Sequence, residues 1–251
     1  MLKLASALKG YAVKASDGEI GEVADFLFDD RTWLVRWLVV DTGKWLSTRK
    51  VLLHPQVIGK PDHERREFPV ALTKAQVQGS PEISEHEPVS MQMERHLYDY
   101  YGWEPTSLEA AFGANPIASR FSAPPLFVFE GHADPALLPR DCDAHLRSVD
   151  AVTGYHILAS DGAIGKLETM LVDDSSWGGP YLVVDTGNWW PGKHVLISRH
   201  AVTEIDWADR QLRTGVSRQA VKASPPWSAL GDVDQDYEKD LRDHYDWPGH
   251  D

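Results

Sequence analysis

Leu38-Val39-Val40-Asp41-Thr42-Gly43 recurs as Leu182-Val183-Val184-Asp185-Thr186-Gly187, an offset of 144 residues (182 less 38). A tryptophan stands two residues beyond each glycine, Trp45 and Trp189. An apolar run into Asp-Thr-Gly has two readings. One is a strand ending in a tight turn, with no chemistry in it. The other is a pair of carboxylates brought together on a pseudo-two-fold axis.

Outward from these stretches the same offset holds without a gap. Gly10-Tyr11 returns as Gly154-Tyr155, Ala15-Ser16-Asp17-Gly18 as Ala159-Ser160-Asp161-Gly162, and Ile20-Gly21 as Ile164-Gly165. Asp29-Asp30 and Trp33 return as Asp173-Asp174 and Trp177. At the far end Leu97, Tyr101 and Trp103 correspond to Leu241, Tyr245 and Trp247. The chain therefore reads as two copies of one domain of about 105 residues, spanning 1–104 and 145–251. Residues 105–144 repeat nothing and carry Asn115-Pro116, Pro124-Pro125 and Pro139, the composition of a linker. Within it Leu126-Phe127-Val128-Phe129 is too apolar to stay solvated and is expected to dock as an added edge strand.

Each copy has the pattern of short strands and tight turns. In the first, strands are expected at Tyr11–Ala15, Glu22–Phe28, Trp33–Asp41, Lys50–Leu53, Gln56–Lys60 and Arg66–Val70. Ser16-Asp17-Gly18 is a turn, and Gly21 marks a bulge or a close backbone approach. Pro180 delays the corresponding central strand in the second copy, since proline cannot donate to the ladder. Thr73 and Ser217 suit helix N-caps. Each copy then changes period: Val89, Met93, Leu97 and Tyr101 are spaced by four, as are Val233, Tyr237, Leu241 and Tyr245. That spacing predicts an amphipathic helix whose apolar stripe closes a barrel, with contacts expected to reach the opposite copy.

The bulk properties narrow the function classes. A net charge of −13 opposes nucleic-acid binding through phosphate contacts. Cys142 is the single cysteine, so no intrachain disulfide forms. The most apolar stretch, Trp33–Val40, contains Arg36 and falls far short of the ~20 residues of a spanning helix. A cytoplasmic protein without membrane insertion is expected.

The candidate chemistry is thin. In aspartic proteases two Asp-Thr-Gly loops meet with carboxylates ~3 Å apart sharing one proton, and Asp41 and Asp185 could serve an acid hydrolase of that kind. Each half of such an enzyme also needs a second apolar-apolar-Gly segment, which neither copy offers. The residues that follow, Lys44-Trp45 and Asn188-Trp189, do not fit either. None of the 11 histidines has metal-ligand spacing, and Asp29-Asp30 and Asp173-Asp174 read as turns because calcium needs six or more oxygens. No catalytic, metal or cofactor site is expected. The ten tryptophans are the feature that invites a partner. Trp45, Trp189 and Trp190 lie on or beside turns, where rings are hard to bury and act as interface anchors.

Laid side by side, the copies resemble PRC-barrel domains. The first carries Gly10-Tyr11, Ser16-Asp17-Gly18-Glu19-Ile20-Gly21-Glu22-Val23, Phe28-Asp29-Asp30, Trp33, Leu38-Val39-Val40-Asp41-Thr42-Gly43, Trp45 and Val51-Leu52-Leu53. The second carries Gly154-Tyr155, Asp161-Gly162-Ala163-Ile164-Gly165, Val172-Asp173-Asp174, Trp177 and Val183-Val184-Asp185-Thr186-Gly187. The closing Tyr237, Leu241, His244-Tyr245 and Trp247-Pro248 look like the tail of bacterial proteins with two such domains. The resemblance implies a mainly β fold of two tandem small β-barrels, each followed by an amphipathic helix, similar to the cytoplasmic part of the photosynthetic reaction centre H subunit. It implies protein–protein contact without catalysis or a cofactor. The expected function is thus a non-enzymatic interaction or scaffold protein with an unidentified protein partner. It would be a pseudo-dimer within one chain, with further oligomerisation left open. The alternatives are the hydrolase above and a small ligand held between the copies.

Overall fold

Ser16-Asp17 reverses the chain between strands β2 (Ala12–Ala15) and β3 (Gly18–Asp29), with Gly18 at φ +138°. Asp17 also accepts from the Lys74 N–H at 2.8 Å, tying this hairpin to the helix Lys74–Gln78. Thr73 caps that helix in a reciprocal box with Gln76. The second copy repeats both devices: Asp161 accepts from Arg218 N at 2.8 Å, and Ser217 caps Arg218–Ala223. The computed structural model describes residues 1–46, 49–80, 97, 99–102, 145–187, 193–225, 227, 233 and 235–247.

The chain is mainly β. It divides into two compact units, Met1–Glu85 with His145–Asp251, and His86–Ala144. The described strands all lie in the first unit. β4 (Val35–Asp41), β5 (Lys50–Leu53) and β6 (Glu67–Pro69) join β2 and β3 in a sheet of order β5-β4-β3-β2-β6. Two further strands come from the chain starts of the copies, β1 (Leu2–Leu4) and β7 (Leu146–Ser148). The second copy supplies β8 (His156–Ala159), β9 (Gly162–Asp173), β10 (Tyr181–Asp185), β11 (His194–Ser198), β12 (Val202–Asp206) and β13 (Gln211–Thr214). Their order is β11-β10-β9-β8-β13-β12. Registers repeat at the same offset: Ala12 faces Glu22 and Glu67, and His156 faces Lys166 and Gln211.

The short first strands are exchanged. β1 pairs with β9 of the second copy, and β7 pairs with β3 of the first. The two registers are equivalent, Leu2 opposite Asp173 and Leu146 opposite Asp29. A pseudo-two-fold passes near the antiparallel bridge between Leu34 and Gly178, which are themselves 144 apart. Around it Val35 N donates to Trp177 O at 2.8 Å and Gly179 N to Trp33 O at 2.7 Å. The opposite copy is thus reached through backbone ladders as well as side chains.

Two expected strands differ. Trp33 precedes β4 instead of starting it: Asp29 accepts from the N–H groups of Arg31 and Thr32, both at 3.0 Å, and the closed turn puts Trp33 at φ +58°. Trp177 does the same at φ +60°. Gln56–Lys60 is not a strand. Pro55 lacks an N–H and starts a 3-10 turn over Pro55–Val57, leaving only an isolated bridge from Ile58 to Val70. The equivalent second-copy turn, Arg199–Ala201, leads into β12. β10 begins at Tyr181, directly after Pro180, as the missing donor requires.

The core sits on the central strands. Trp37 and Tyr181, equivalent by the offset, are fully buried, as are Leu38, Val40, Val183 and Val184. The helix Gln235–Tyr245 lays Leu241 on Leu171, Tyr181, Val183 and Leu196, joined by Leu2 and Leu4 from the first copy's exchanged strand. Leu97 is buried too, while the rest of the Val89–Met93 part of its stripe lies outside the described residues. Leu126–Phe129 and Cys142 also lie outside them. Among the described residues no helix is long and apolar enough to cross a membrane.

Candidate functional site

Asp41 ends β4 and Thr42-Gly43 turns away from it. Its Oδ1 accepts from Gly43 N at 2.8 Å, and Gly43 takes φ +54°, a position glycine occupies without a Cβ penalty. Asp185 accepts from Gly187 N at 2.8 Å, with Gly187 at φ +53°. The threonines point inward, Thr42 Oγ1 donating to Arg49 O at 2.6 Å and Thr186 Oγ1 to Lys193 O at 2.7 Å. Each Asp-Thr-Gly is therefore an Asx-type turn closed by its own residues.

These turns also explain the Ile-Gly motif. A Cβ on Gly21 would stand 2.1 Å from the Asp41 carbonyl oxygen, and one on Gly165 would stand 2.0 Å from that of Asp185. Glycine is required because another strand's backbone passes there. The register shifts beside it, between Val13 and Lys14, so that Ile20 is the bulged residue and turns into the core.

The two aspartates are not brought together. Each lies seven residues along its chain from the Leu34–Gly178 bridge (41 less 34, 185 less 178). At ~3.3 Å per residue that is roughly 20 Å apiece, and antiparallel pairing carries them in opposite directions. Among the described residues no group of three His, Cys, Asp or Glu side chains could hold a metal.

Trp45 lies on the 3-10 turn Gly43–Leu46 and is 36% exposed, against 0% for Trp37. The Lys74 ammonium stands 4.9 Å from its ring centroid, a cation–π contact that seats the ring on the turn. Trp189 and Trp190 lie outside the described residues. Trp33 and Trp177 are buried at the seam between copies, Trp33 against Phe28 at 5.4 Å and Trp177 against Phe68 at 6.0 Å.

The polar groups that hold the exchanged strands escaped the sequence reading. Asp30 N donates to His145 O at 2.9 Å and Asp174 N to Met1 O at 3.1 Å. The Asp30 carboxylate takes His145 Nδ1 at 2.9 Å and Arg147 Nε at 3.1 Å, with Arg147 4.0 Å over the Trp207 ring. Asp174 takes the Met1 ammonium at 2.6 Å and His63 Nε2 at 2.8 Å, and the other His63 nitrogen meets Tyr11 OH at 3.3 Å. Burial would raise the Asp174 pKa, but these hydrogen bonds outweigh it and hold the carboxyl below its ordinary range. Asp25 moves the other way: burial raises it, the nearby Asp150 adds, and the Ser148 hydroxyl only partly offsets them. The repeated Asp29-Asp30 is the available signal, which by sequence alone reads as a turn. Its first aspartate does close the turn, while the second receives the other copy.

The PRC-barrel domain family model matches residues 2–75, under a third of the chain. No curated protein matches it. The matched segment contains both the Ile-Gly bulge and the Asp-Thr-Gly turn that meet at Gly21.

Proposed function

We propose that the protein is a non-catalytic interaction or scaffold protein, built from two PRC-barrel-like halves at 1–104 and 145–251 with 105–144 as their connection. The second half enters this reading because its sheet repeats the strand order of the first, with β12 added at one edge. The likeness to the reaction centre H subunit is a likeness of barrel only. Each half is taken as a small barrel closed by its amphipathic helix, and the setting as cytoplasmic. The observation that carries the reading is Trp45. A large ring kept at the surface on a turn that the Asp-Thr-Gly sequence builds, and seated by Lys74, is the form of an interface anchor.

The Asp-Thr-Gly pair supports the same reading from the other side. Its carboxylates are engaged in turns of separate sheets, so the feature that most suggested hydrolysis has a structural use. The test is affinity capture from the native extract with the unmodified protein and with Trp45→Ala. A protein partner retained by the first and lost by the second, at equal thermal stability, is the expected result. Partner capture indifferent to Trp45, or hydrolysis by pure protein abolished by Asp41→Asn, would overturn the proposal.

A further inference from the structure

The two strand-accepting sites share a backbone pattern but differ in the side chains that meet the incoming strand. Ser148 ends β7, opposite Leu27 of the first copy. Its hydroxyl donates to Asp25 Oδ2 at 2.5 Å, and the N–H of Asp150 reaches Asp25 Oδ1 at 3.3 Å. At the equivalent position of the other exchange stands Leu4, opposite Leu171. Leu4 packs against the apolar cluster of Leu171, Tyr181, Val183, Leu196 and Leu241. The residue equivalent to Asp25 is Thr169, whose Oγ1 accepts from Ser6 N at 3.3 Å.

We propose that these differences make the halves recognise each other and reject themselves. The surface formed by β3 with Asp25 fits a strand ending in a hydroxyl residue, and the surface formed by β9 with Thr169 fits one ending in leucine. Pairing the first half with a copy of itself would set Leu4 against Asp25. The half-buried carboxylate would lose its hydroxyl donor, which is costly because a buried acceptor cannot recover its water. Pairing the second half with itself would set Ser148 where Leu4 now fills the cluster, leaving a gap in the core. Both mispairings fail, for opposite reasons. This is specificity by a repulsive element in one site and a missing contact in the other. The partner of each surface is therefore the strand and first turn of the opposite half, Leu2–Leu8 or Leu146–Val152.

The experiment uses the whole chain carrying a specific protease site inserted between residues 105 and 144, cut after folding and examined by native mass spectrometry. The expected species is one complex of the two different fragments. Ser148→Leu is expected to weaken that complex roughly tenfold or more. Adding Asp25→Thr, which makes the first site like the second, is expected to restore it to within about threefold. Ser148 also accepts from Ala151 N at 3.0 Å as a helix cap, a loss present in both backgrounds and so cancelled in the comparison. Should the leucine variant fail to fold, Ser148→Ala removes the hydroxyl without adding bulk and is expected to weaken the complex a few-fold. Fragments that sort into like pairs, an unaffected Ser148→Leu or Ser148→Ala complex, or no rescue by Asp25→Thr would each overturn the proposal.

Discussion

His54 makes the stability of this protein depend on pH in a calculable way. It is 1% exposed, lies edge-on to Trp37 at 5.3 Å, and its Nδ1 accepts from Gln56 N at 3.3 Å to cap the 3-10 turn. Burial, with the nearby Arg36 charge adding, pulls its pKa down from 6.5 to about 4. The folded value is therefore below the unfolded one. Its stabilising contribution is complete above about pH 6.5 and is lost as pH falls from there toward about 4. At about 1.4 kcal/mol per pH unit, the loss is about 2 kcal/mol at pH 5 and about 3 kcal/mol once both states are protonated. His54→Asn keeps a cap acceptor and cannot titrate in this range. Urea denaturation of both proteins between about pH 7 and pH 4 reads the difference. The variant is expected to be less stable than the parent near pH 7 by roughly 1 kcal/mol, the usual scale of an imperfect core replacement. It is expected to be the more stable of the two below about pH 5. Parallel curves for the two proteins, or a His54 imidazole titrating near 6.5 in the folded state by NMR, would refute the reasoning.

Gly165→Ala is expected to cost more than ~3 kcal/mol in a denaturant titration, because its Cβ would meet a backbone carbonyl. Gly187→Ala, with open space around it and only a positive φ to resist, should cost roughly 1 kcal/mol; equal costs would contradict the contact. Asp173→Ala should lose about 2 kcal/mol near pH 7, since Asp173 accepts from Ser175 N at 2.9 Å and Ser176 N at 2.8 Å. Burial opposes ionisation there, but the serine hydroxyl and backbone donors prevail and depress the pKa, so this contribution disappears only as pH falls below the ordinary carboxyl range. Trp37→Ala is expected to cost ~3–5 kcal/mol and Trp45→Ala less than ~1 kcal/mol by the same measurement. Asp41→Asn and Asp185→Asn should each change stability by less than ~1 kcal/mol and combine additively to within ~0.5 kcal/mol. A marked coupling between them would mean that the two carboxylates interact.

Much of this architecture is written locally and could be read from the residues. The Asp-Gly hairpin, the Ile-Gly bulge, the Thr73 and Ser217 caps and the strand start after Pro180 each follow from a residue that permits few alternatives. Trp33 is different: nothing in a tryptophan announces a left-handed backbone, which arises only because the Asp29 carboxylate gathers the two preceding N–H groups. Gln56–Lys60 is too short and too mixed for its pattern to overrule the turn that His54 caps, as Ser198 caps its equivalent. The exchange was illegible for a deeper reason. Because the halves repeat without a gap, the register of β1 on β9 is the one β7 takes on β3, so pairing within or across copies would satisfy the same ladder. What distinguishes them is side chains, among them the contrast of Ser148 with Leu4 and of Asp25 with Thr169. It becomes readable once both are known to face the same slot. At the candidate surface, Trp45 was legible as an exposed ring, whereas the Lys74 beneath it was separated by too much chain to be connected.

The reciprocal exchange sets a timetable for synthesis. The Met1 ammonium and the Asp173 carboxylate that it meets are 172 residues apart in sequence. At roughly 5–20 residues per second, a ribosome needs on the order of ten seconds or more between making one and the other. Throughout that interval the β9 edge that holds β1 has not been made, and the Leu27–Asp29 edge waits for Leu146–Ser148. A nascent first half thus leaves the ribosome with a sticky edge and a loose apolar strand, the species on which neighbouring chains on one message could pair wrongly. Asp30, at the end of that edge, places a carboxylate where a foreign strand would dock. In the folded protein the Asp30 carboxylate meets His145 and Arg147 only after the second half has emerged.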